Sequence, residues 1–197
     1  SGSNPFLPLV PGSVIQLEGE DDAQQVHVEI RVLDQVRKIR VPVADGMLNA
    51  RTRVVEKREW TNGELTQVTE GYLACCPRTG NIFSFGEDVT QYTKGFVVGH
   101  QDSWLAGRRG AQPGLLLPGS FLVGSRYCTE IAPGVSMDRA ENVTLGLTIE
   151  TPAGVFRNCA MVRETTPLEP EEEVLKVYAP GVGLISDGQL HLVAHQP

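Results

Sequence analysis

The sequence lacks an excess of positive charge and lacks long apolar runs. Its 24 acidic and 17 basic residues give a net charge of −7. Such a surface repels phosphate backbones, so we expect no nucleic-acid partner. The longest uncharged stretch, residues 110–125, is interrupted by Gly and Pro and is shorter than the ~20 apolar residues that a membrane-spanning helix needs. We therefore expect no transmembrane segment.

Motifs of several common enzyme and metal-site classes are also missing. The chain has no P-loop, no GxGxxG, no HExxH, no EF-hand loop and no GxSxG elbow. Its four cysteines contain no CxxC pair. On a strand, His191 and His195 would stand ~13 Å apart, too far to share one metal. We therefore predict no metal site and no cofactor, and we assign no catalytic residue.

A helical repeat is absent as well, since no window of a dozen residues has a 3.6-residue period. Instead, apolar and polar residues alternate over 26–32 and 143–149, the pattern of strands with one buried face. Asp-Gly at 45–46 and 187–188 and Asn-Gly at 62–63 favour tight hairpins. We predict an all-β fold with a single curved antiparallel sheet, a barrel or half-barrel of the lipocalin or lipoprotein-carrier kind. A β-sandwich is the alternative.

The length of 197 residues suits one domain, which we place at residues 4–197. The leading Ser-Gly-Ser, residues 1–3, is typical of an expression-tag remnant, so an export signal or a lipid anchor on the native precursor is compatible with the sequence. Residues 99–124 hold six Gly and two Pro and are predicted to form one long loop. Loops of this length often act as lids or binding segments. We expect a crossover connection here, with a short strand at 115–117.

Three stretches resemble a known group of proteins. The opening "NPFLPLVPGSVIQLEGE" resembles the start of bacterial exported proteins and lipoproteins, and "VYAPGVGLI" at 177–185 is similar to their close. "GNIFSFGEDV" at 80–89 is similar to a hairpin strand of an uncharacterised group within them. The resemblance implies a β-rich protein with a curved sheet that is periplasmic, anchored at the outer membrane or secreted. It implies no catalytic residues.

Aromatic residues make up only 6% of the chain, so the few present are candidates for ligand contacts. The arginine pair Arg108-Arg109 lies in the long loop near Trp104 and is suited to clamp a carboxylate or phosphate. A solvated turn is the alternative for this pair. The predicted ligand-binding residues are Tyr72, Phe83, Phe85, Trp104, Tyr127 and Arg108.

The cysteines at positions 75, 76, 128 and 159 are candidates for a disulfide. Neighbouring side chains of a strand point to opposite faces, so Cys75 and Cys76 would not converge on one metal. In an exported protein we expect one bridge, from Cys75 or Cys76 to Cys128 or Cys159. A vicinal bridge between Cys75 and Cys76 is a further alternative, which needs a distorted peptide. The alternative is that Cys159 is a small buried hydrophobe.

Acidic and basic residues near the long loop define the enzyme alternative. Glu87 and Asp88 follow an aromatic strand, and because adjacent strand residues diverge they cannot flank one bond as a glycosidase pair would. We interpret them as an acidic turn. An enzyme on this fold would use His100, Asp102, Arg108 and Glu87, with a His100–Asp102 or His100–Ser103 partnership.

The combined observations predict a non-catalytic binding or carrier protein of the cell envelope or of the secreted fraction. Its partner would be a hydrophobic or amphipathic small molecule held on the concave side of the sheet. A protein–protein interaction or assembly module is the first alternative. A small β-barrel enzyme that uses loop acid–base residues is the second.

Overall fold

The chain folds into β-structure alone. The structure, a computed structural model, describes residues 3–197, which form no helix and a single antiparallel sheet of 14 strands that does not close. The prediction of an all-β fold with one curved sheet is confirmed. Of the predicted remnant at residues 1–3, residues 1 and 2 lie outside the described residues. The strands are β1 (Val14–Asp21), β2 (Gln24–Val43), β3 (Gly46–Thr61), β4 (Glu64–Cys75), β5 (Ile82–Thr93), β6 (Phe96–Gly99), β7 (Trp104–Leu105), β8 (Gly114–Leu117), β9 (Arg126–Cys128), β10 (Arg139–Thr151), β11 (Gly154–Thr166), β12 (Glu169–Ala179), β13 (Gly183–Asp187) and β14 (Leu190–Gln196).

The first and last strands of the chain lie side by side near the middle of the sheet. The strand order is β6-β5-β4-β3-β2-β1-β14-β13-β12-β11-β10-β9, and the short β7 and β8 pair with β5 on the side away from β4. Strand β1 runs antiparallel to β14, from Val14 opposite Gln196 to Glu18 opposite His191. Two meanders, β1–β6 and β9–β14, therefore form one continuous sheet.

Tight turns join neighbouring strands where the sequence predicts them. Asn62 and Gly63 link β3 to β4 with φ angles of 50° and 81°. These are the left-handed values that both central residues of a type I′ hairpin adopt. Asp45 lies in the turn between β2 and β3, and Gly188 lies in the turn between β13 and β14, whereas Gly46 and Asp187 are paired end residues of β3 and β13. The strand predicted at 115–117 is present as β8.

One cluster of buried side chains fills the concave face of the sheet. Its members come from nine strands, including β5 and β8 near one end of the sheet and β10 near the other. The two ends of the sheet must therefore face each other, which makes the fold a half-barrel with a packed interior. We call this set the concave cluster: Leu17, Val28, Leu73, Ile82, Leu117, Ala140, Val162, Tyr178 and Leu184.

A second cluster covers the opposite face of β2–β5. Val54 and Tyr72 belong to it, whereas their chain neighbours Val55 and Leu73 point to the concave face. Segments of the long loop and of the turn after β9 pack on this face. We call this set the convex cluster: Ile39, Val41, Ala50, Val54, Tyr72, Phe85, Trp104, Ala106, Ala111 and Ala132.

The predicted disulfide is not formed. Cys128 is an exposed free thiol on β9, and Cys159 on β11 is a free thiol with 0% exposure. Cys159 packs beside Val177 on the convex side of the second meander, whereas Cys75 packs against the concave cluster. The sheet therefore separates Cys75 from Cys159. Cys159 serves as a small buried hydrophobe, as in the alternative interpretation.

Candidate ligand-binding pocket

A surface pocket of about 310 Å³ lies at the convex cluster, between the long loop and the turn that follows β9. It combines apolar side chains with two arginines and a carboxylate. Small-molecule pockets commonly measure about 300–1,000 Å³, so this one suits a small ligand. The lining residues are Asp88, Ser103, Trp104, Leu105, Arg108, Arg109, Ala111, Ala132, Pro133 and Val135.

A bulge in β5 positions the first wall of the pocket. Gly86 occupies this bulge with a φ of 132°. Strand β7 pairs at this point, with Leu105 opposite Gly86 and Trp104 opposite Glu87. A Cβ atom on Gly86 would lie 2.4 Å from the Trp104 carbonyl oxygen. Only glycine therefore allows Trp104 to approach β5 so closely.

A hydrogen-bonded turn carries the two arginines. The amide of Gly107 donates to the Ala111 carbonyl at 2.9 Å, and the amide of Ala111 donates to the Arg108 carbonyl at 2.9 Å. Arg109 has a φ of 49° and is followed by Gly110 with a φ of 82°. These bonds and angles fix the backbone of the turn, which places the Cα atoms of both arginines at the rim of the pocket.

The pocket carries positive charge that no neighbouring acid neutralises. Arg108 and Arg109 are exposed, and neither forms an ion pair with any residue from 3 to 197. The pocket carboxylate Asp88 already accepts hydrogen bonds from Arg37 at 2.9 Å and from the Tyr72 hydroxyl at 2.6 Å. Burial, together with the bond to Asp88, raises the pKa of Tyr72. The two arginines are therefore available to an anion.

The second wall of the pocket is a short turn after β9. The Gln112 amide donates to the Ile131 carbonyl at 2.8 Å, which ties this turn to the long loop. The Ala132 amide donates to the Ser136 carbonyl at 2.7 Å. The Ser136 hydroxyl donates to the Glu130 carboxylate at 2.5 Å. The turn that forms the apolar wall of the pocket is thus hydrogen-bonded to Glu130.

Glu87 and Glu130 are half-buried carboxyl groups near Trp104, and the charge of Glu130 acts on Glu87. Burial, and next the negative charge of Glu130, raises the pKa of Glu87 to about 8. Burial also raises the pKa of Glu130. Trp104 is 6% exposed, and its buried indole N–H has no hydrogen-bond partner among residues 3–197. Two carboxyls in such a site titrate as a pair.

The interpretation of Glu87 and Asp88 as an acidic turn is wrong. Both residues lie within β5, opposite Gly71 and Glu70 of β4. The predicted divergence of their side chains is confirmed, because Asp88 bonds to Tyr72 of the convex cluster and Glu87 interacts with Glu130 instead. A turn at this point would have ended β5. Because Gly86 forms a bulge instead, the strand continues beyond its aromatic residues.

The residues of the enzyme alternative do not form a hydrogen-bonded set. The His100 Nδ1 atom lies 2.8 Å from the Val89 carbonyl, and the His100 side chain bonds to neither Asp102 nor Ser103, whose amide donates to the His100 carbonyl at 3.2 Å. Asp102 accepts a bond from Gln91 at 2.7 Å instead. Arg108 lines the pocket, from which Glu87 is absent.

Four of the five predicted aromatic residues come together. Tyr72, Phe85 and Trp104 are buried in the convex cluster, and Phe83 packs against it. Tyr127 lies apart, in contact with the concave cluster, where its hydroxyl donates to the Asn142 side chain at 2.9 Å. Of the six predicted ligand-binding residues, Trp104 and Arg108 line the pocket.

The sequence prediction missed the second wall of the pocket and Glu130. Pro133-Gly134 marks a turn at the level of sequence. No local pattern says that Val135 and Ala132 will meet Trp104, because that contact joins segments about 30 residues apart and depends on the pairing of Gln112 with Ile131.

Two other surface recesses contain arginines, and all of these except Arg139 are already paired. In a recess of about 410 Å³ at β9–β11, Arg126 and Arg163 both contact Glu141, at 3.0 and 3.7 Å. In a recess of about 390 Å³ beside β1 and β14, Arg31 contacts Glu29 at 3.0 Å. The pocket at Trp104, with two unpaired arginines, therefore has more of them than either of these recesses.

Residues 3–197 contain no group of three or more His, Cys, Asp or Glu side chains placed to hold a metal ion. Over the same range, no helix is long and apolar enough to cross a membrane. Comparisons with protein-family models, with curated proteins and with solved structures find no match to this chain.

Proposed function

We propose that this protein binds an anionic amphiphile in the pocket at Trp104. The observation that carries the proposal is the combination of two unpaired arginines with an apolar wall in one recess. The headgroup, a carboxylate, sulfonate or phosphate, binds Arg108 and Arg109. The hydrocarbon chain packs against Leu105, Pro133 and Val135. This is a binding role without catalysis.

The proposal favours the pocket over the concave face as the ligand site. Nine strands contribute side chains to the concave cluster, and Phe6, Leu7 and Leu9 pack against it from the N-terminal segment. That face is therefore occupied by the protein itself. In a chain of net charge −7, an accessible pair of unpaired arginines also provides a specific reason for anion selection.

Isothermal titration calorimetry with decanesulfonate tests the proposal. We expect replacement of both arginines, Arg108→Gln with Arg109→Gln, to weaken binding by about tenfold or more, because each charge-assisted hydrogen bond contributes about 1.5–3 kcal/mol. Arg157→Gln is the matched control, since it removes an exposed arginine outside the pocket. Hexanesulfonate should bind at least tenfold more weakly than decanesulfonate, because each buried CH₂ contributes about 0.8 kcal/mol.

Equal binding of decanesulfonate and decyltrimethylammonium would contradict anion selection. Unchanged affinity in the double arginine variant would place the ligand elsewhere. Methanesulfonate reports on the headgroup alone and should bind far more weakly than the ten-carbon probe.

A second candidate function is pairing with a strand of another protein. Strand β6 ends the sheet order, so its outer edge has no partner strand among residues 3–197. Phe96, Val97 and Val98 are 75%, 54% and 59% exposed there. An exposed apolar edge strand is a template for strand addition.

We expect Val97→Lys to abolish any self-association or complex that uses this edge, because a charge on an edge strand opposes strand addition. Sedimentation velocity over a range of protein concentrations measures the effect. Val155→Lys is the control, since Val155 is also exposed but lies on β11. A monomer at all concentrations would argue against self-pairing through β6.

The cell-envelope or secreted location is also a proposal. It is supported by the resemblance of residues 4–20 and 177–185 to exported proteins. Fractionation of the source cells, with detection by antibody, distinguishes an envelope or secreted protein from one retained in the cytosol.

A further inference from the structure

The pocket at Trp104 contains a carboxylate that the two arginines of its lining do not pair with. Asp88 lines the pocket together with Arg108 and Arg109, and its side chain is 57% exposed. Its ion pair is formed with Arg37 of β2, which lies outside the pocket lining, at 2.9 Å. A recess of about 310 Å³ therefore presents one carboxylate and two cations to the same small ligand.

One oxygen of Asp88 is bonded within the protein, whereas the other is open to a ligand. The Tyr72 hydroxyl donates to Oδ2 at 2.6 Å, and the Arg37 Nη1 atom donates to the same oxygen at 2.9 Å. Among residues 3–197, no group donates a hydrogen bond to Oδ1. A carboxylate can accept about four hydrogen bonds. Asp88 can therefore accept a further bond from a ligand through Oδ1.

Contacts from two other strands hold Asp88 in place on β5. Tyr72 of β4 is 1% exposed, and the guanidinium carbon of Arg37 lies 4.1 Å from the centre of its ring. This cation–π contact and the two hydrogen bonds to Oδ2 connect β2, β4 and β5. The acceptor is thus positioned before a ligand arrives, which lowers the entropic cost of binding.

The polar groups that remain available in the pocket require two different partners. The Ser103 hydroxyl is engaged by β5, since it accepts from the Val89 amide at 2.8 Å and donates to the Val89 carbonyl at 3.2 Å. The guanidinium groups of Arg108 and Arg109 can only donate, and Oδ1 of Asp88 can only accept. A simple anion would satisfy the arginines but leave Oδ1 without a donor and facing a like charge.

We propose that the ligand carries an ammonium group beside its anionic group, so that Asp88 binds the ammonium while Arg108 and Arg109 bind the anion. The inference rests on the proposed function, to which it adds the class of headgroup, a zwitterion. A primary ammonium suits Oδ1 because it has three N–H donors and the opposite charge. Asp88 is thus the residue that determines headgroup specificity.

Isothermal titration calorimetry with two acids of the same ten-carbon chain tests the inference on the unaltered protein. 2-Aminodecanoate has an ammonium beside its carboxylate, and 2-methyldecanoate has a methyl group of similar size on the same carbon. At pH 7 we expect 2-aminodecanoate to bind about tenfold more tightly, because hydrogen bonds between charged groups are the strong ones. Equal binding of the two acids, or tighter binding of 2-methyldecanoate, would overturn the inference.

Asp88→Asn tests the role of the carboxylate. The asparagine oxygen can still accept from Arg37 and Tyr72, which places the NH₂ donor where Oδ1 stood and so opposes an ammonium. We expect the preference for 2-aminodecanoate to fall from about tenfold to below about threefold. Asp45→Asn is the matched control, since it removes an exposed aspartate outside the pocket and should keep the preference. A preference that persists in Asp88→Asn would overturn the assignment to Asp88.

The outcomes separate the two proposals. If decanesulfonate binds but the two acids bind equally, the zwitterion inference fails and the proposed function stands. If neither decanesulfonate nor either acid binds, the proposed function fails, and the inference fails with it. Should Asp88→Asn not fold, the comparison of the two acids in the unaltered protein decides alone.

Discussion

Replacement of Gly86 by alanine is expected to lower the free energy of unfolding by about 3–5 kcal/mol. The residue has a φ of 132°, which strains any side chain. In addition, the new Cβ would stand 2.4 Å from the Trp104 carbonyl oxygen and 2.8 Å from the Leu105 Cα atom. Both are backbone atoms, so relief requires β7 to move away from β5. Urea unfolding followed by circular dichroism measures the loss.

Gly95→Ala is the matched control for Gly86→Ala. Gly95 has a φ of 78°, and a Cβ there would meet nothing within 4 Å. It therefore isolates the conformational strain, which we expect to cost about 1 kcal/mol. Gly86→Ala should also weaken decanesulfonate binding, because it displaces Trp104 from the pocket wall. Equal stability of the two alanine variants would show that β7 does not lie tightly against β5.

Stability of the unaltered protein is expected to fall as pH rises from about 5 to 8. The folded pKa of Glu87, about 8, exceeds its ordinary value of 4.5. Between these values the folded state binds more protons than the unfolded state, so the free energy of unfolding decreases with pH, by up to about 1.4 kcal/mol per pH unit for one group. Below pH 4.5 this carboxyl is protonated in both states, and above about pH 8 the decrease levels off.

Glu87→Gln should remove most of this dependence. The amide imitates the protonated carboxyl and cannot ionise, so the variant and the unaltered protein should have similar stability at pH 5. At pH 9 we expect the variant to be more stable by roughly 3–5 kcal/mol. Urea titrations at pH 5, 7 and 9 measure the difference, with Glu64→Gln as the control for a simple loss of negative charge. Parallel curves for all three proteins would show that Glu87 is not perturbed by burial.

The fold class could be predicted because its signals are local. Apolar and polar residues alternate over 26–32, which predicts one buried face, and Val28 and Val32 are buried as expected. The dipeptide Asn62-Gly63 adopts the positive φ angles that its composition favours. Such features depend on neighbours within a few residues, so the sequence alone is sufficient to place them.

The candidate site could be predicted only in part, because its contacts are long-range. Trp104 and Arg108 stand out as an aromatic and a cation in a Gly-rich loop, and both line the pocket. Glu130 has no such signal, since its burial depends on the meeting of the turn after β9 with β5. The bulge at Gly86 was equally hidden, because a glycine in "FSFGEDV" is compatible with a turn as well as with a bulge.

The disulfide prediction failed for a related reason. Cysteine count and compartment indicate whether a bridge is plausible, but not which face of a sheet each sulfur occupies. Cys75 contacts the concave cluster and Cys159 a convex one, so the sheet separates this one of the four predicted pairs, and Cys76 and Cys128 are free thiols. Face assignment requires the register of each strand, which bulges such as those in β10 shift by one residue.

The central claim is that an anionic amphiphile binds at Trp104, and amide NMR with ¹⁵N-labelled protein tests it most directly. On titration with decanesulfonate at pH 6.5, we predict saturable shift changes at the Trp104 indole N–H, at residues 103–111 and at residues 131–136. Shift changes confined to the concave cluster and Tyr127, or none at millimolar probe, would contradict the account.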